Sequence, residues 1–82
     1  MDVTRAREEL MRELRQFLFF HLGADAKVKI HSTWNGLEVE VEHQRVRPMR
    51  LSFRTEEVLA LSRDRSRLED QLLSFLTLHR RS

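Results

Sequence analysis

The sequence predicts a small α+β domain. It has an N-terminal helix, a three-stranded antiparallel sheet with a hairpin turn at Asn35-Gly36, and a bent or split C-terminal helix. The order is αβββα, with the helices packed on one face of the sheet. Three observations carry this. Apolar residues recur every three or four positions over 3–22 and again over 55–79. Between 28 and 53 they recur every second position. Asn35-Gly36, a strong short hairpin signal, interrupts the alternating stretch. With 82 residues the chain has room for one domain, 1–82.

Residues 3–22 form the first helix. Val3, Ala6, Leu10, Leu14, Phe17 and His21 follow one stripe, widened by Met11, Leu18 and Leu22. Glu8 and Arg12 are spaced i,i+4 with the acid first, the favourable order on a helix surface. Asp2 or Thr4 can cap its start. Gly23 follows the last apolar residue, where a left-handed C-terminal cap belongs.

In 27–34, Val28, Ile30, Ser32 and Trp34 alternate with Lys27, Lys29, His31 and Thr33. In 37–44, Leu37, Val39, Val41 and His43 alternate with Glu38, Glu40, Glu42 and Gln44. A type I′ turn centred on Asn35-Gly36 sets Trp34 opposite Leu37, Ile30 opposite Val41, His31 opposite Glu40 and Lys29 opposite Glu42. Apolar then meets apolar on one face and base meets acid on the other. A one-residue slip would invert every face. Met49, Leu51 and Phe53 mark a third strand, and Pro48 at its start suits a sheet edge. The polar face carries a column of Glu38, Glu40 and Glu42 between Lys27, Lys29 and His31 on one side and Arg50 and Arg54 on the other.

Thr55-Glu56-Glu57 opens the C-terminal helical region with a capping hydroxyl and two acids at the positive end of the helix dipole. Ser62-Arg63-Asp64-Arg65 interrupts the apolar pattern, and Ser66-Arg67-Leu68-Glu69 has capping-box spacing. The expectation is a helix over 55–62, a bend and a helix over 67–79 burying Leu68, Leu72, Phe75 and Leu76. One continuous bent helix is the alternative.

Composition narrows the function. The net charge is +2 although the isoelectric point is near 9.9. Thirteen of the 15 basic residues are Arg, with no Tyr or Cys, so little titrates between His and Arg and a small excess drives the neutral point up. No apolar run is long enough to span a bilayer, and the N-terminus does not read as a secretory signal, so a cytoplasmic location is expected. Without cysteine there is no disulfide frame, CxxC metal site or thiol nucleophile. There is no GxGxxG or Walker loop, no GxSxG elbow and no HExxH. His21, His31, His43 and His79 show no metal-ligand spacing. The glutamate column faces its own bases. No catalytic, cofactor-binding or metal-binding residue is therefore expected, nor a small-molecule substrate or a membrane.

Two surfaces remain. Phe17-Leu18-Phe19-Phe20 has more apolar side chains than one helix stripe can bury, because successive residues turn by about 100°. Phe19 and Phe20, with Leu73 and Leu78 off the main stripe of the last helix, are candidate protein-contact residues. They suggest a non-catalytic binding, adaptor or regulatory protein that self-associates. The alternative is a nucleic-acid-binding module. Arg45, Arg47, Arg50 and Arg54 fall within ten residues that hold no acid, and Arg supplies forked donors to phosphate. The αβββα order is shared with double-stranded RNA-binding domains. Those place basic residues at the start of the last helix, where this chain has Thr55-Glu56-Glu57. The likeness therefore stops at element order.

Overall fold

The computed structural model describes residues 3–81. The predicted architecture is present: α1 (Val3–Leu22), β1 (Lys27–Thr33), β2 (Gly36–His43), β3 (Val46–Arg54), α2 (Thr55–Arg63) and α3 (Arg65–His79). The antiparallel sheet has β2 at its centre and β1 and β3 as edges. All three helices cover one face. There α2 packs between α1 and α3 and lies over β2 and β3.

The core follows the two periodicities. Along α1 the buried residues are Ala6, Leu10, Leu14, Leu18 and Leu22, an unbroken i,i+4 ridge. His21, expected on the stripe, is exposed. The ridge meets Leu37, Val39 and Val41 of β2, Met49, Leu51 and Phe53 of β3, Val58 and Leu61 of α2, and Leu68, Leu72 and Leu76 of α3 in one cluster. Gly23 closes α1 as expected. Its φ is +101°, and its N–H donates to the Phe19 carbonyl at 2.8 Å. Of the two expected caps, Thr4 lies inside α1 and Asp2 lies outside the described residues.

The hairpin register differs from the expected one by two residues. Thr33 pairs with Gly36, so Trp34 and Asn35 form the turn and Gly36 is the first residue of β2. Ile30 faces Val39, His31 faces Glu38, Lys29 faces Glu40 and Lys27 faces Glu42. Neither turn residue has a positive φ, so the turn is not type I′. The reason lies on the far side of β2. Gly36 pairs with Arg54 of β3, and a Cβ there would meet the Phe53 carbonyl oxygen at 1.8 Å. The observed register also gives all three glutamates a base opposite, where the expected register gives one to only Glu40 and Glu42. A shift of two preserves faces, so the inside–outside pattern stands. Trp34 alone changes environment, from the expected apolar face to the hairpin tip, 93% exposed.

β3 begins at Val46, earlier than the alternation implied, and Pro48 lies within it. Val41 pairs with Met49 and His43 with Val46, so β3 carries an extra residue at Arg47-Pro48. A bulge on an edge strand is where proline, lacking an N–H, is tolerated. α2 starts at residue 55 as expected, but its cap falls one residue earlier than Thr55. Arg54 is its N-cap, and its N–H donates to Glu57 Oε1 at 3.2 Å. Thr55 is the first helical residue, and its N–H donates to the Asn35 carbonyl at 2.8 Å, tying the hairpin turn to the helix start. The C-terminal region is two helices broken at Asp64. That carboxylate, rather than Ser66, caps α3 by accepting from Arg67 N–H at 3.1 Å.

Candidate functional site

The open face of the sheet concentrates charge. Arg50 donates to Glu40 across the β2–β3 pair at 2.7 Å. That hydrogen bond holds the Glu40 carboxyl below its ordinary range, with further help from the charges of Arg50, His31 and Lys29. The same bond raises Arg50. A carboxylate held ionised by a guanidinium is poorly suited to act as a general acid. Among the described residues no group of three or more His, Asp or Glu is arranged to hold a metal ion. No helix of the described residues is long and apolar enough to cross a membrane.

The second polar cluster is at the β2–β3 turn. The His43 side chain is 4% exposed, and its two ring nitrogens are both engaged. Nδ1 accepts from the Arg45 backbone N–H at 3.0 Å. Nε2 then carries the hydrogen and donates to Asp25 Oδ1 at 3.2 Å. Asp25 is lowered from its ordinary value, chiefly by this bond. The arrangement anchors the Gly23–Ala26 loop to the turn.

The arginines that are near in sequence do not form one patch. From Arg45 to Arg54 an extended strand covers about 30 Å at about 3.3 Å per residue. Arg50 is bound to Glu40, and Arg54 sits at the start of α2. Arg45 instead gains neighbours from the chain terminus. After α3, Arg80 forms an antiparallel bridge with Val46, and Arg81 N–H donates to the Arg45 carbonyl at 2.9 Å. Arg65, farther off, is paired with Glu13 of α1.

The apolar candidates divide as well. Phe20, at 84% exposure, and Leu73, at 42%, line one groove between α1 and α3. Phe17, Leu68 and Leu72 also line this groove of about 390 Å³, and Glu13, Arg65 and Glu69 ring it. The Phe17, Phe20 and His21 rings form a cluster, with centroids 4.3 and 5.1 Å from that of His21. Phe19 lies on the other flank of α1, over Met11 and Arg15. Leu78 is 74% exposed and lines no cleft with the others. Sequence reasoning missed exposed Trp34, whose position depends on the register, and the meeting of Arg45 with Arg80 and Arg81. The basic character of that terminal pair was the only signal available in advance. Compared with known proteins, the chain matches no family model, no curated sequence and no solved structure.

Proposed function

We propose that this protein is a non-catalytic binding module that works as a homodimer, joined through the groove between α1 and α3. The observation that carries this reading is an exposed knob beside a hole. Phe20 stands out from the last turn of α1 at the mouth of a groove whose wall and floor include Phe17, Leu68, Leu72 and Leu73. In a two-fold pair each protomer's Phe20 enters the other's groove, so one surface serves both subunits. The rim supports a copy of the same chain as occupant. It carries acids and a base together, Glu13 with Arg65 and Glu69 beside them, so each rim offers both signs to its symmetry mate. A buried aromatic at the centre of such a patch is the usual energetic anchor.

The nucleic-acid reading has less support. Its four arginines are strung along an edge strand, one is held by Glu40, and the adjoining sheet face presents Glu38 and Glu42.

Light scattering after size exclusion at tens of micromolar tests the proposal. The expected result is a dimer. Phe20→Ser removes about 2 kcal/mol at each of two equivalent positions, weakening association about a thousandfold and giving a monomer. Leu73→Ser acts in the same direction, while Phe19→Ser and Leu78→Ser leave the dimer intact. A monomeric wild type, or a dimer that ignores Phe20→Ser, overturns the reading.

A further inference from the structure

A second concavity lies on the other side of Leu73, and its chemistry is different. Its rim is Arg45, Arg80 and Arg81, and its apolar wall includes Leu22, Val46 and Leu76. The cleft encloses about 510 Å³, within the size range of small-molecule sites, and no acid lines it.

The backbone builds this rim. The turn before β3 is pinned by His43 Nδ1, which accepts the Arg45 N–H. The segment after α3 is pinned by the Val46–Arg80 bridge and by the Arg81 N–H on the Arg45 carbonyl. Two segments 35 positions apart in the chain therefore bring three arginines to the lining of one cleft. None of the three makes a side-chain ion pair with a described residue. The Arg45 charge reaches Asp25, whose carboxyl it helps to lower, and Arg81 also lines the neighbouring groove with Asp25 and Glu42. No acid lines the cleft itself, so an anion bound there would offset the repulsion among its arginines.

We propose that this cleft binds a small organic phosphate, its phosphate among Arg45, Arg80 and Arg81 and its organic part against Leu22, Val46 and Leu76. Phosphate is the matching anion because it has nearly two negative charges and three free oxygens for forked donors. A carboxylate, with one charge and two oxygens, would leave at least one guanidinium unmatched. A small ligand fits better than a nucleic-acid backbone. The adjoining groove is lined by Asp25 and Glu42 as well as Lys27 and Arg81, so it offers a continuing chain of phosphates no basic track. On the strand beyond, Arg50 is already bound to Glu40. The apolar wall gives the organic part a place that a bare inorganic ion does not use.

Backbone and arginine side-chain NMR during titration with phenyl phosphate tests this directly. The expected shifts centre on Arg45, Val46, Arg80 and Arg81. Inorganic phosphate should bind at the same place but about tenfold more weakly, for want of the apolar contact. Benzoate should also bind more weakly. Arg45→Gln and Arg81→Gln should each weaken phenyl phosphate by about tenfold, whereas Arg67→Gln should not. Neither substitution removes a backbone hydrogen bond, and circular dichroism of each variant checks that the fold is kept. Absence of shifts at millimolar phenyl phosphate, or shifts insensitive to both substitutions, would overturn the site. Equal affinity for inorganic and phenyl phosphate would overturn the organic ligand class. Much tighter binding of a single-stranded RNA, with shifts spreading over Arg47, Arg50 and Arg54, would overturn the small ligand in favour of a polyanion. None of these readouts depends on whether the protein dimerises.

Discussion

A side chain at position 36 has nowhere to go. A Cβ on Gly36 would lie 1.8 Å from the Phe53 carbonyl oxygen and 3.0 Å from the Arg54 Cα, all backbone atoms that cannot rotate aside. Gly36→Ala therefore has to push β3 away from β2 or break the Gly36–Arg54 pair. The expected cost is at least about 2 kcal/mol, read as a lower midpoint in chemical denaturation. Its neighbour in the turn makes a control. Trp34 is almost wholly exposed, so Trp34→Ala should change stability by no more than about 0.5 kcal/mol. An unchanged midpoint for Gly36→Ala would count against the close approach of β3, and a large loss for Trp34→Ala would indicate the register that sets Trp34 opposite Leu37. A turn centred on Asn35-Gly36 was the natural reading of the dipeptide, because local preference is all the sequence displays. The close approach of β3 to position 36 comes from eighteen residues away and is not a local property.

At the scale of elements, the break between α2 and α3 is set by a single residue. Asp64 leaves helical geometry at φ −128° and ψ 84°, and its carboxylate accepts the Arg67 N–H. Asp64→Ala removes that cap and should cost about 1 kcal/mol. The loss should be accompanied by faster amide exchange at Arg65 to Arg67, measured by hydrogen–deuterium exchange. Unaltered protection there would mean the cap is not what starts α3. The interruption itself was legible from Ser62-Arg63-Asp64-Arg65, a polar run inside an apolar pattern. Which residue caps was not, because Asp64 and Ser66 both have suitable chemistry. The choice goes with tertiary contact: starting α3 at Arg65 places that guanidinium in the first turn, where it reaches Glu13 of α1. The same logic applies to Thr55, a good cap by type. Its N–H is instead used as a donor to the Asn35 carbonyl, and Arg54 takes the cap position.

For the whole molecule, a dimer joined through Phe20 has a thermodynamic signature apart from its mass. Association adds stability by mass action, about 2.7 kcal/mol at a protein concentration a hundredfold above the dissociation constant. For a domain of this size that corresponds to a rise in Tm of roughly ten degrees or more. The Tm by calorimetry should therefore climb with concentration in the wild type and stay flat in Phe20→Ser. A concentration-independent Tm in both would count against self-association. The core needs no partner to be continuous, since one cluster runs through α1, β2, β3, α2 and α3. The dimer would cover what that cluster leaves outside.

What the sequence determined by itself is what repeats along it. Side-chain direction repeats at 3.6 residues in a helix and at 2 in a strand, so Leu10, Leu14 and Leu18 on α1 and Leu37, Val39 and Val41 on β2 declare their buried faces without reference to any other segment. The α+β class, the element order, the edge position of Pro48 and the left-handed Gly23 follow from such local rules. The tertiary structure alone decided the rest. A strand's faces are unchanged by a slip of two, so periodicity cannot choose between the two hairpin registers. The close packing of Gly36 against β3 can. Nor does periodicity say which ends meet. Only the closed fold brings Phe20 to Leu73 and Arg45 to Arg80 and Arg81, because each of those meetings joins segments that the chain's local pattern leaves independent.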